Sequence, residues 1–222
     1  MNGWRTRTSR TAAATAVAAL VLASCGGGDG DEAEETPSPT VSPSPSSTVA
    51  VPAGVELTDV GADLTFGDTA AVIFEPNQKR GSVLALTVKK AERGRTKDFS
   101  GFILDDYTRN ATPYYVDVAV KNVGEGDVGG SPVPLWGVDA QNTLLPAASF
   151  TTSFRKCPSE RLPKKFGPEA SFSTCLVFLA PDKGTMEAVS FRPNQEFDPI
   201  EWTGDIAGPA QKPKPKKKAK RG

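Results

Sequence analysis

The 222-residue chain contains no histidine. That absence excludes Ser-His-Asp and Cys-His catalysis and every histidine-based zinc or copper site. Two methionines make no soft copper site. A glycine loop followed by Lys-Ser or Lys-Thr, the cradle for a nucleotide phosphate, is missing. "GEGDVGG" (124–130) shares only its glycines, and it follows a strand pattern that should turn back as a hairpin. No window carries a long amphipathic helix, and no internal repeat is visible. The apolar run at 11–24 would reach roughly 21 Å as a helix, short of the about 30 Å of a bilayer core. Only three cysteines are present: Cys25, Cys157 and Cys175.

What is present begins with an export signal. Residues 1–10, MNGWRTRTSR, carry Arg5, Arg7 and Arg10 and no acid. Residues 11–24, TAAATAVAALVLAS, are uncharged and end in small residues. A basic start, a short apolar run and small residues at its end make a secretory signal. No two arginines are paired, so the general export route is expected over the twin-arginine one. The run ends Leu22-Ala23-Ser24-Cys25, which resembles the lipobox of bacterial lipoproteins. The resemblance implies that the Cys25 thiol receives a diacylglyceryl group and becomes the first mature residue. Two acyl chains suffice for stable anchoring where one does not. The expected location is the cell membrane, lipid-anchored, on its extracytoplasmic face.

The formal net charge is zero, but the sum hides a polarity. Residues 25–210 hold 16 basic and 26 acidic residues, a net charge of −10, while residues 211–222, QKPKPKKKAKRG, add seven basic ones. This Lys-rich tail (209–222) is expected to be disordered, since like charges and prolines oppose packing. Its expected partner is an anionic lipid or wall polymer; a solubilising tail with no partner is the alternative. The export signal excludes nucleic acid as a partner. Residues 25–55 run from GGGDGDEAEE into TPSPTVSPSPSSTVAVPA, a composition that builds no core and reads as a disordered linker. The four segments expected are therefore 1–24 signal, 25–55 linker, 56–208 folded domain and 209–222 tail.

The domain reads as strands. In "SVLALTVKKAER" (82–93), Leu84, Leu86 and Val88 alternate with Ala85, Thr87 and Lys89. In "YYVDVAVKNVG" (114–124), Tyr114, Val116, Val118 and Val120 alternate with Tyr115, Asp117, Ala119 and Lys121. "SFSTCLVFLAP" (171–181) is apolar on both faces, as a central strand would be. Shorter strands are expected at 70–75, 135–140, 187–193 and 200–204. Seven to eight strands with polar turns indicate an all-β, immunoglobulin-like β-sandwich.

Three segments carry a second resemblance. Lys121-Asn122-Val123-Gly124 closes one strand, Gly167-Pro168-Glu169 forms a turn, and Phe178-Leu179-Ala180-Pro181 ends another strand. Residues 66–203 are similar to a family of secreted bacterial domains of unknown function. That family has a telokin-like, immunoglobulin-like fold and is common on Gram-positive lipoproteins. The resemblance implies a fold and supplies no catalytic residues.

With Cys25 assigned to lipid, Cys157 and Cys175 remain as a pair. In an exported chain they are expected to form a disulfide; a thiol or metal site is the alternative, with no histidine to complete it. Asp105 and Asp106 could bind calcium or act as an acid–base pair, but a solvated turn is the plainer expectation. Trp136, Trp202, Tyr107, Tyr114 and Tyr115 could line a sugar- or peptide-binding surface. Tyr107 and Tyr115 are preferred, Tyr115 because it lies opposite the apolar face of its strand. No metal or cofactor is expected. The function expected is a non-enzymatic binding or structural module that meets an envelope protein or glycan. The alternatives are a carboxylate-based wall hydrolase or a calcium- or solute-binding lipoprotein.

Overall fold

The computed structural model describes residues 48–208. The signal, Cys25, most of the linker and the Lys-rich tail lie outside the described residues. The described chain forms ten strands in two sheets that face each other across one core. The all-β sandwich expected from the alternation is the fold observed. Seven strands have four or more residues, and three are two- or three-residue edges.

The first sheet runs β1 (Asp63–Thr65), β9 (Ile200–Thr203), β8 (Met186–Phe191), β5 (Trp136–Asp139) and β6 (Leu144–Leu145). The second is built on β3 (Arg80–Arg93). On one side β3 pairs with β4 (Thr112–Asn122), which pairs with β7 (Ser171–Ala180). β3 also pairs with β2 (Thr69–Asn77) along its first half and with β10 (Ile206–Ala207) at its end. Leu84, Leu86 and Val88 from β3 and Val116, Val118 and Val120 from β4 enter the core together, as their period of two dictates. Trp202 and Phe191 meet them from the first sheet.

Residues 48–55, assigned above to the linker, belong to this arrangement. The Thr48 hydroxyl donates to Glu75 Oε1 at 3.3 Å, and Val49 fits into the space left by Gly81. Farther on, Thr58 N donates to Ala71 O, and Ala71 N donates to Thr58 Oγ1, so this segment covers the free edge of β2.

β7 corrects an expectation. It is apolar on both faces, yet it pairs only with β4 and forms the sheet edge. Its second face is buried by a separate small core on the outside of the sheet. There Val177 and Cys175 meet Tyr115 from β4 and Phe99, Phe102, Phe150 and Phe154 from two loops. The Phe99 and Phe154 rings meet tilted with centroids 4.8 Å apart, and the Phe150 centroid lies 5.2 Å from that of Phe154.

A second correction concerns "GEGDVGG". The chain after β4 makes no hairpin; it crosses to β5 in the other sheet. Asn122 anchors the crossing and is fully buried. Its Oδ1 accepts from Ser82 Oγ (2.6 Å) and Gly124 N (3.1 Å). Its Nδ2 donates to Gly126 O (2.7 Å) and Phe166 O (2.8 Å). The Lys-Asn-Val-Gly and Gly-Pro-Glu segments meet here, with Lys121 Nζ 2.7 Å from Glu169 Oε2. These residues hold two loops together, which gives them a structural role in this chain.

Candidate functional site

The residues singled out from sequence separate in space. Cys157 and Cys175 are bonded, Cα to Cα 4.9 Å, with Cys157 fully buried in the outer core. Tyr115 corrects the preferred binding pair. It is only 5% exposed, because the loops carrying Phe99 and Phe154 fold over its face of the sheet. Its hydroxyl donates to Asp98 Oδ2 at 3.0 Å, and Lys156 Nζ sits 4.6 Å from its ring centroid. Burial, then the Asp98 carboxylate, pushes the Tyr115 phenol far up, so it stays neutral. Burial alone would raise Asp98, but bonds from Lys156, Arg95 N and Tyr115 hold its carboxyl below the usual range.

Tyr107 is 52% exposed on a single five-residue helix, α1 (Asp106–Asn110), and its hydroxyl donates to Leu179 O. It stands apart from Tyr115 and from any cleft described below. Asp105 caps that helix by accepting from Thr108 N (2.8 Å), and Asp106 pairs with Arg109 (2.7 Å). Both are helix-terminal residues of the surface. Among the described residues, no group of three or more His, Cys, Asp or Glu converges as a metal site. No described helix is long and apolar enough to cross a membrane.

Trp136 borders two open hollows. It opens β5, half-buried, with Gly137 next to it turned inward against Phe178 and Met186. Strand alternation therefore puts Trp136 on the outer face of the first sheet. Register places three more polar residues in its row: Trp136 pairs with Ser190, Ser190 with Glu201, and Glu201 with Asp63. Their inward neighbours Val189 and Trp202 are in the core, and Leu64 packs against it, which confirms the outward face. Three strand spacings make this row roughly 14 Å long.

Arg192 follows β8 two residues beyond Ser190 and acts electrostatically on Glu201. Burial first, and the Asp63 charge second, hold the Glu201 carboxyl above the usual carboxylate range; Arg192 partly offsets both. Arg192 Nη2 donates to Gln195 O (3.0 Å). Two polar atoms here, Ser190 Oγ and Arg192 Nε, are buried without a partner among the described residues.

Two hollows flank Trp136, and both are lined by Trp136, Arg192 and Pro193. One, about 400 Å³, is apolar, with Phe74, Val133, Leu135 and five prolines among its walls and Glu75 at its rim. The other, about 550 Å³, adds Asn142, Leu144, Asn194 and Gln195. The turns that carry these amides are fixed. Asp139 Oδ1 accepts from Gln141 N and Thr143 N, which sets Asn142 at φ 59°. Asn194 Oδ1 accepts from Glu196 N and Phe197 N.

No protein-family model matches this chain, and no curated protein matches it. One solved structure is similar. It is the 1.5 Å crystal structure of a secreted protein from Mycobacterium tuberculosis, MPT63. It is 10% identical, the match covers 66% of this chain and 100% of that one, and the TM-score is 0.46.

Trp136 is one of five aromatics that the sequence offers, behind Tyr107 and Tyr115, and it offers no signal for Arg192, Ser190, Glu201 or Asp63 as a group. For single residues the available signal is parity within "LWGVDA" and "IEWTG", where Trp136 and Glu201 alternate with inward residues. Placing them in one row requires knowing which strands pair.

Proposed function

We propose that this chain is an extracytoplasmic lipoprotein. Cys25 carries the lipid, the Pro/Ser/Thr-rich segment is the tether, and the β-sandwich is a binding module at the cell envelope. The Cys157–Cys175 bond carries the compartment part of this reading. Such bonds persist where the environment is oxidising and are rare in the cytosol. Leu22-Ala23-Ser24-Cys25 supports the anchor, and the cleft about Trp136 supports binding. The module meets an envelope protein or glycan there, while the seven basic residues of the tail add attraction to anionic lipid or wall polymer.

The anchor is tested by feeding cells an alkyne-tagged fatty acid and fractionating them. The wild-type chain should carry the tag and partition with membranes. Cys25→Ala should be untagged and released. A Cys25→Ala chain that is still processed and still membrane-bound would overturn the lipid reading.

A further inference from the structure

Trp136, Glu201 and Asp63 share one row of the outer sheet face, with the buried Ser190 between them, and the two hollows lie at its Trp136 end. We propose that this surface binds a neutral oligosaccharide, with Trp136 as the stacking platform and Arg192, Glu201 and Asp63 bonding to sugar hydroxyls. The proposal rests on the reading of the sandwich as a binding module.

The chemistry of the wall selects this ligand. A sugar ring presents an apolar C–H face and a rim of hydroxyls that both donate and accept. Trp136, partly exposed between the two hollows, offers aromatic surface for the first. The second meets a mixed set: Glu201 and Asp63 accept, Arg192 donates, and the Asn142 and Gln195 amides do both. Charge argues against the alternatives. A polyanion would meet Asp63 and Glu201 against the one guanidinium of Arg192. A basic peptide would meet Arg192 beside the row. A polyproline peptide docks in grooves lined by aromatics; in both hollows Trp136 is the one aromatic outside the buried core. The row of roughly 14 Å matches about three sugar units in length.

The full chain is titrated calorimetrically with maltohexaose, mannohexaose, galactohexaose and chitohexaose, and with the matching disaccharides. At least one hexasaccharide should bind with a Kd of about 1 mM or tighter. Trp136→Ala should weaken it at least about tenfold, and Trp136→Phe, which keeps a ring, should recover part of the loss. Asp63→Ala, an exposed change at the far end of the row, should weaken the hexasaccharide and leave the disaccharide unchanged. Tyr107→Ala should bind as the wild type. Binding of none of the four, or equal binding by the Trp136→Ala chain, overturns the proposal. Isolated envelopes separate this failure from failure of the wider reading. Envelope retention that depends on Trp136, with no hexasaccharide binding, would remove the oligosaccharide and keep the module. Loss of both would remove both.

Discussion

Replacing Cys157 and Cys175 by alanine removes the cross-link without burying a new polar group. The bond spans a sequence separation of 18 residues. In the chain-entropy model, closing a loop of that size stabilises the fold by about 3 kcal/mol. For a domain of this length, each kcal/mol moves the melting temperature by about 2–4 °C. The double variant should therefore melt about 6–12 °C below the wild type in scanning calorimetry. Wild-type protein unfolded and refolded with reductant should melt close to the variant. Amide exchange adds a spatial test. The β4–β7 ladder has ten registered residue pairs from Thr112–Ala180 to Lys121–Ser171, and none needs the bond. It should stay protected. The segment from Ala148 to Ser159, which drapes Phe150 and Phe154 over β7, should exchange faster. A melting shift below about 3 °C would refute the constraint argument. Loss of protection along β7 would refute the claim that the outer core is an addition to a self-sufficient sheet.

Two further perturbations test other parts of the fold. Asn122→Ala leaves Phe166 O, Gly126 O and Gly124 N without their side-chain partner in a buried place. Urea unfolding should show a loss of about 3 kcal/mol or more, and a loss under about 1 kcal/mol would mean the network is dispensable. Glu201→Gln should show a pH-dependent gain. The folded state holds the Glu201 proton more tightly than the unfolded chain does, so its ionisation costs stability as pH rises through the folded value. The variant should be more stable than the wild type at neutral pH and equal to it below about pH 4. An identical difference at both pH values would show that Glu201 titrates as an exposed carboxylate.

Alternation made part of this legible. Leu84, Leu86 and Val88 face the core because a period of two has one physical meaning in a sheet. The cysteine pair followed from compartment and count. Alternation does not tell whether the opposite face meets water or another part of the chain. Tyr115 lies opposite the valines of β4, and that placement suggested exposure. Its burial depends on Phe99 and Phe154, residues in loops with no periodicity of their own. The same loops gave β7 two apolar faces at a sheet edge, where such a run imitates a central strand. The Trp136 surface was hidden for a different reason. Its members come from four strands between Asp63 and Glu201 in the sequence, and only pairing and register align them.

The described chain enters and leaves at opposite ends of β3. Val49 lies against Gly81, near the strand's start, and Gly208 packs on Arg93 at its finish. The stretch between them is about 40 Å of strand. A pull between the two chain ends is therefore directed along the strand axis. β10, the last strand, runs parallel to β3 beside Ala91 and Glu92. Its hydrogen bonds lie across the line of force and must slide and break together, where a hairpin pulled from one end would open bond by bond. Along that axis the pairing of Ile206 and Ala207 with β3 is loaded in shear.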